Sequence, residues 1–149
     1  MTDVMFYHLM DNPLQEALTE LVEKSRGRGW RVTIQGTFRE RLEALNAHFW
    51  TYRDETFLAH GIDGDPSPEL QPILLTEKQD NENQSNIRFI IDRAEPVNSA
   101  QYERVVYMFD GLDPDAVSHA RERWKAEKAE GHALTYWQQS QDGRWEKKA

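Results

Sequence analysis

Arg121, Lys125 and Lys128 stand about one helical turn apart near the end of this chain. At about 100° per residue they form a row, and Val117, Ala120 and Trp124 form an apolar line directly beside it. An arginine grips a carboxylate through two parallel N–H bonds, and a lysine adds a movable point charge. Such a strip and row suit an acidic peptide that carries a hydrophobic anchor. The plainer alternative is an ordinary amphipathic helix. In that case the strip packs on a sheet, Lys125 and Lys128 complement the helix C-terminus, and the charges are solvated.

Two carboxylates offer a different chemistry. Asp92 and Asp110 fall at the C-terminal ends of expected strands, where open α/β sheets place their sites. A pair there can hold Mg²⁺ or do acid–base work, so a small α/β enzyme is the alternative reading. No lysine, serine or glycine-rich loop accompanies them in a recognised frame, and Asp110-Gly111 also reads as a turn. His48, Asp54 and His60 match no ligand spacing such as H-E-x-x-H. With no cysteine in the chain, thiolate sites and cysteine nucleophiles are excluded, and no G-x-S-x-G elbow is present. No metal and no cofactor is expected. His8, inside an apolar run, reads as a structural histidine.

The elements that must position these residues alternate. Val105–Phe109 is a short, almost wholly apolar run, suited to a strand covered on both faces. Asp110-Gly111 turns the chain, Asp113 stands at an N-cap, Pro114 at the first helical position, and Gly131 at the stop. Earlier, Val4–Met10 reads as a central strand, and Leu14, Ala17, Leu18, Leu21 and Val22 mark a helix closing near Gly27 to Gly29. Trp30–Gln35 is a second strand, and Phe38, Leu42, Leu45 and Phe49 form the buried stripe of a second helix. This order implies right-handed parallel crossovers. The first strand–helix turn is Asp11-Asn12-Pro13, which lacks the G-x-G-x-x-G of a dinucleotide site, and no Walker-type loop occurs.

Gly61–Pro68 reads as a loop, Pro72–Thr76 and Asn86–Asp92 as strands, and residues 77–85 as a polar excursion. Without a long helix between them, these strands imply an antiparallel or edge pairing, which Pro66, Pro68 and Pro72 suit. Leu134, Tyr136 and Trp137 cover the last helix or line its groove. Asp142-Gly143 makes residues 138–149 a hairpin or a frayed tail. The fold class is α/β: one domain over residues 1–149, three layers α/β/α, with a Rossmann-like, mostly parallel sheet lacking the nucleotide-binding glycine loop.

Composition narrows the partners. The 149 residues are 30% charged and 38% hydrophobic, as expected of a folded domain. A net charge of −8 and a pI near 5.1 argue against broad binding to nucleic-acid phosphates. A local basic row on an acidic protein points instead to an acidic partner. The lack of cysteine and of an export or membrane segment suits the cytoplasm.

Several segments together carry a resemblance. Val-Val-Tyr-Met-Phe-Asp followed by Ala-Arg-Glu-Arg-Trp-Lys at 120–125 resembles the last strand and helix of the DNA polymerase III chi subunit family. Trp50 closing the second helix, with Phe57 just before His60-Gly61, is similar to that family's signature. So are Pro72–Thr76 and Phe89–Asp92. The resemblance implies a non-catalytic accessory subunit of the clamp loader of the bacterial replicative polymerase. It implies binding to the acidic C-terminal tail of single-stranded-DNA-binding protein, which ends in a hydrophobic residue bearing the free carboxylate. Arg121 and Lys125 match the family's basic positions and Trp124 its aromatic one. Val117 departs from the family where a further basic residue can stand, and Lys128 is our own addition as a substitute. Trp50 and Phe57 match the face that meets a psi-type subunit or another replication or repair partner. Read without the resemblance, two aromatics near a helix end are core residues. No sequence-specific nucleic-acid contact and no membrane association are implied.

Overall fold

The computed structural model describes residues 2–10, 13–51, 59–140, 142 and 144–149. In chain order the elements are β1 (Asp3–Leu9), α1 (Leu14–Gly27), β2 (Val32–Gln35), α2 (Arg39–Thr51), β3 (Gly61–Ile62), β4 (Ile73–Thr76), β5 (Ile87–Ile90), β6 (Arg104–Asp110), α3 (Pro114–Ala129), β7 (Ala133–Gln139) and β8 (Trp145–Lys147). The strands form one sheet in the order β3-β4-β2-β5-β6-β1-β7-β8. Every pairing is parallel except β7 with β8. The α/β, mostly parallel expectation is met.

Alternation of side chains along the strands builds two cores. Tyr7, Leu9, Ile34, Phe89, Val106 and Met108 pack against Leu18 and Val22 of α1 and Leu42, Leu45 and Phe49 of α2. On the other face Val4, Phe6, Val105, Tyr107 and Phe109 meet Ala116 and Ala120 of α3. Helices therefore lie on both faces. Fully burying one such Leu or Phe contributes about 1.5–3 kcal/mol, so the layers need few other supports.

Where α3 does not reach, the second face is closed by polar groups. Arg88 alternates with Ile87 and Phe89 and is fully buried. It donates to Gln35 Oε1 (3.0 Å), Asp80 O (2.9 Å), Tyr102 Oη (3.0 Å) and Lys78 O (2.5 Å). Asn83 is equally buried and donates to Val32 O and Gln71 O. Residues 77–86 thus do the covering a crossover helix would do, and β4 and β5 both run parallel to the β2 between them. That corrects the antiparallel expectation for the middle of the sheet. The edge itself is β3, a two-residue strand inside what reads as a loop.

Other expectations shift too. Phe38 precedes α2 and is 59% exposed, so it is not part of the buried stripe. Leu134, Tyr136 and Trp137 belong to β7, which extends the sheet beside β1 instead of only draping the helix. β8 then folds back antiparallel, with Ser140 N donating to Arg144 O at 2.7 Å.

Candidate functional site

Local sequence sets the helix that carries the basic row. The Asp113 side chain accepts from Asp115 N at 3.0 Å, and Pro114 occupies the first turn. At the other end Gly131 has φ +85°, its N–H meets Lys128 O, and His132 N meets Glu127 O. That is a Schellman closure, which only a residue tolerant of positive φ completes cheaply.

The two faces of α3 separate cleanly. Ala120 is buried, and Val117 and Trp124 are half-buried against the second core. The Trp124 ring lies 5.3 Å from Phe6 and 6.0 Å, edge to face, from Tyr136. Arg121, Lys125 and Lys128 are exposed. Among the described residues none of the three makes an ion pair with the protein's own carboxylates. Glu127 is turned inward, accepting from Ser99 Oγ at 2.5 Å and from Arg123 at 3.3 Å. The strip packs on the sheet while the cations face water. Both halves of the amphipathic expectation therefore hold at once.

Beyond Trp124 the wall of this surface comes from β1 and β7. Tyr136 Oη lies 2.6 Å from His8 Nδ1. Burial holds His8 below its ordinary pKa, the Asp110 carboxylate opposes that, and the Arg121 guanidinium adds to it. Burial raises Tyr136, against the pull of Arg121. Arg121 therefore sits within electrostatic range of both rings. Gly111 explains how His8 fits, because a Cβ there would fall 1.9 Å from the imidazole and 2.7 Å from Leu9 O. Tyr136 has no local signal that could place it here, since 128 residues separate it from His8.

The Trp50 and Phe57 pair is only half described. Trp50 closes α2, is 60% exposed, and its ring lies 4.8 Å from that of the buried His60. Phe57 lies outside the described residues, as does Asp54. Trp50 is on the α1–α2 face, so it is remote from the α3 row. No group of three or more His, Asp or Glu that could hold a metal occurs among the described residues.

Asp92 and Asp110 both line one cleft of about 450 Å³ at the C-terminal ends of β1 and β6. The chain leaves these adjacent strands toward opposite faces, which is where open α/β sheets form a crevice. Yet Asp92 is held by Arg41 in a two-pronged pair at 2.9 and 3.2 Å. Asp110 Oδ1 accepts from Leu112 N at 2.9 Å and closes the turn. Their geometry is accounted for by structure.

Comparison with known proteins supplies the rest. A family model described as "DNA polymerase III chi subunit, HolC" matches residues 1–135. A protein of Rickettsia prowazekii (strain Madrid E), named "Probable DNA polymerase III subunit chi", is 28% identical over 109 residues, 73% of this chain. The match spans 66% of that relative, just under two thirds of its length.

Proposed function

The chain belongs to the DNA polymerase III chi subunit family, and we propose that it serves replication as a non-catalytic adaptor. One surface, on α3, takes the acidic C-terminal tail of single-stranded-DNA-binding protein. A second, around Trp50 and Phe57, meets a psi-type clamp-loader subunit or another replication or repair partner. Both contacts would be made in the cytoplasm.

The observation that carries this reading is the exposed row Arg121, Lys125 and Lys128 beside half-buried Val117 and Trp124. A chain of negative charge can lie along the row, with Arg121 and Lys125 on carboxylates. Its terminal apolar residue would rest on Val117 and Trp124, with Tyr136 as the opposite wall. Holding both ends makes the protein a tether, raising the concentration of the polymerase assembly on coated single strands.

The test is a titration of the full chain with a fluorescent peptide copying that tail. Arg121→Glu should weaken binding by roughly tenfold or more, since a charge-assisted bond is worth about 1.5–3 kcal/mol. The difference should shrink as salt rises. Amidating the peptide's C-terminus should cost affinity in the same way. Unchanged affinity after charge reversal at Arg121 would leave the row a solvated face.

A further inference from the structure

The opposite face carries a second cationic surface, built differently from the first. Lys24-Ser-Arg-Gly-Arg-Gly-Trp-Arg31 places four cations and no carboxylate in eight residues, on a chain whose net charge is −8. Arg26 donates to Trp30 O at 2.6 Å and Arg31 to Glu69 O at 3.2 Å, which pins the turn. Arg28 is left exposed, its guanidinium 4.3 Å from the centre of the Trp30 ring. Arg104, from the start of β6, lies over the same ring at 5.1 Å.

Two like charges on one indole are costly to bring together unless something negative joins them. Arg104 has its Nε buried without a hydrogen-bond partner, and its one ion pair, with Asp3, is stretched to 3.9 Å. Among the described residues neither Arg28 nor Arg104 donates a side-chain hydrogen bond to the protein. The exposed Arg28 guanidinium and the partly exposed end of Arg104 remain available to an outside acceptor, although Arg104 Nε is not.

From Arg104 an aromatic cluster runs across the sheet through Tyr7, which is itself buried, to two partly exposed tryptophans. Arg104 acts electrostatically on the Tyr7 hydroxyl. The Tyr7 ring meets the edge of Trp145 at 4.9 Å and lies parallel to Trp137 at 6.3 Å. Both tryptophans are half-buried, and Lys147, exposed and without an ion pair, is the cross-strand neighbour of Trp137. Three of the chain's five tryptophans therefore share this face with Arg28, Arg104 and Lys147, of which only Arg104 has a carboxylate partner.

We propose that Arg28, Trp30, Arg104, Trp145, Trp137 and Lys147 form a track for single-stranded nucleic acid. The track binds phosphates and stacks bases without reading sequence. Alternating cations and aromatic rings are the chemistry that such strands require. An acidic peptide would use the cations but gain little from the indoles. The net negative charge keeps the contact weak, and tethering of the protein to coated strands would make a weak contact useful. The track is independent of the tail surface, lying on the opposite face of the sheet from α3.

The experiment titrates the full chain into a fluorescein-labelled oligothymidylate of about 20 nucleotides and reads anisotropy. With three cations on phosphates, log affinity should fall by about two per decade of salt. Arg28→Glu and Lys147→Glu, at the two ends of the track, should each weaken binding about tenfold. Arg93→Glu, the same charge change at an exposed site elsewhere, should alter it less than twofold. Either track variant binding like the unmodified chain overturns the proposal. So does displacement of the oligonucleotide by polyglutamate as readily as by unlabelled oligothymidylate, which would make the patch an acidic-protein site. All three positions are exposed, and unchanged circular-dichroism melting keeps loss of fold out of the comparison.

Discussion

The imidazole of His8 and the phenol of Tyr136 meet at 2.6 Å, joining β1 to β7 beside the basic row. Burial holds His8 below its ordinary value of 6.5, opposed by Asp110 and reinforced by Arg121. His119 is lowered as well, by burial first and then by Arg123 and Arg93. Below 6.5 the unfolded chain takes up protons at these positions that the folded chain refuses. Stability is therefore complete above that pH and declines as pH falls through the folded values. Thermal unfolding between about pH 5 and 8 should show the midpoint dropping on the acid side. His8→Gln should flatten the decline, and superimposable profiles would show that His8 does not contribute.

Packing and charge on α3 should separate by mutation. Trp124 touches Phe6 and Tyr136, whereas Arg121 touches no carboxylate. Trp124→Ala is expected to cost about 2 kcal/mol of stability, because the ring is only half-buried. It should weaken the tail peptide as well. Arg121→Glu should weaken the peptide while leaving the urea midpoint nearly in place. Equal loss of stability in both variants would place Arg121 among the packing residues.

Trp50 is 60% exposed, so its removal should be cheap for the fold. Trp50→Ala should change stability by no more than about 0.5 kcal/mol. On the proposed reading it nevertheless abolishes co-purification with a co-expressed psi-type subunit while tail-peptide affinity persists. A markedly lower melting temperature would instead assign Trp50 to the support of His60.

Arg88 anchors residues 77–86 through four hydrogen bonds to uncharged acceptors. Arg88→Lys keeps the charge but cannot span Gln35, Tyr102 and two carbonyls. The expected cost is about 1–3 kcal/mol, the penalty for buried acceptors left unmet. Hydrogen exchange should accelerate first in residues 77–86. Exchange raised uniformly over the whole chain would refute the anchoring role.

Much of the frame was legible because its signals are local. Asp113, Pro114 and Gly131 bracket α3 through capping chemistry that depends on neighbours a few residues away. The apolar run at Val105–Phe109 announces a strand covered on both faces, and β6 is one. The same logic misplaced Phe38, whose spacing continues the α2 stripe. Periodicity does not reveal that the helix begins one residue later. It also missed the tryptophan-bearing face, because Trp30 comes from the turn between α1 and β2, Trp137 from β7 and Trp145 from β8.

Chain order, helix ends and the pairing of an apolar line with a cationic row all follow from residue types at short spacing. The partners of those residues do not. Whether Val117 and Trp124 face water or the sheet depends on Phe6, which arrives from the first strand, and on Tyr136 of the strand that follows α3. That Asp92 is tied up by Arg41, and Glu127 by Ser99, is decided across loops of many residues. Short-range chemistry shapes each element, and only the assembled sheet settles which charges remain unpaired, because burial and ion pairing depend on what packs alongside.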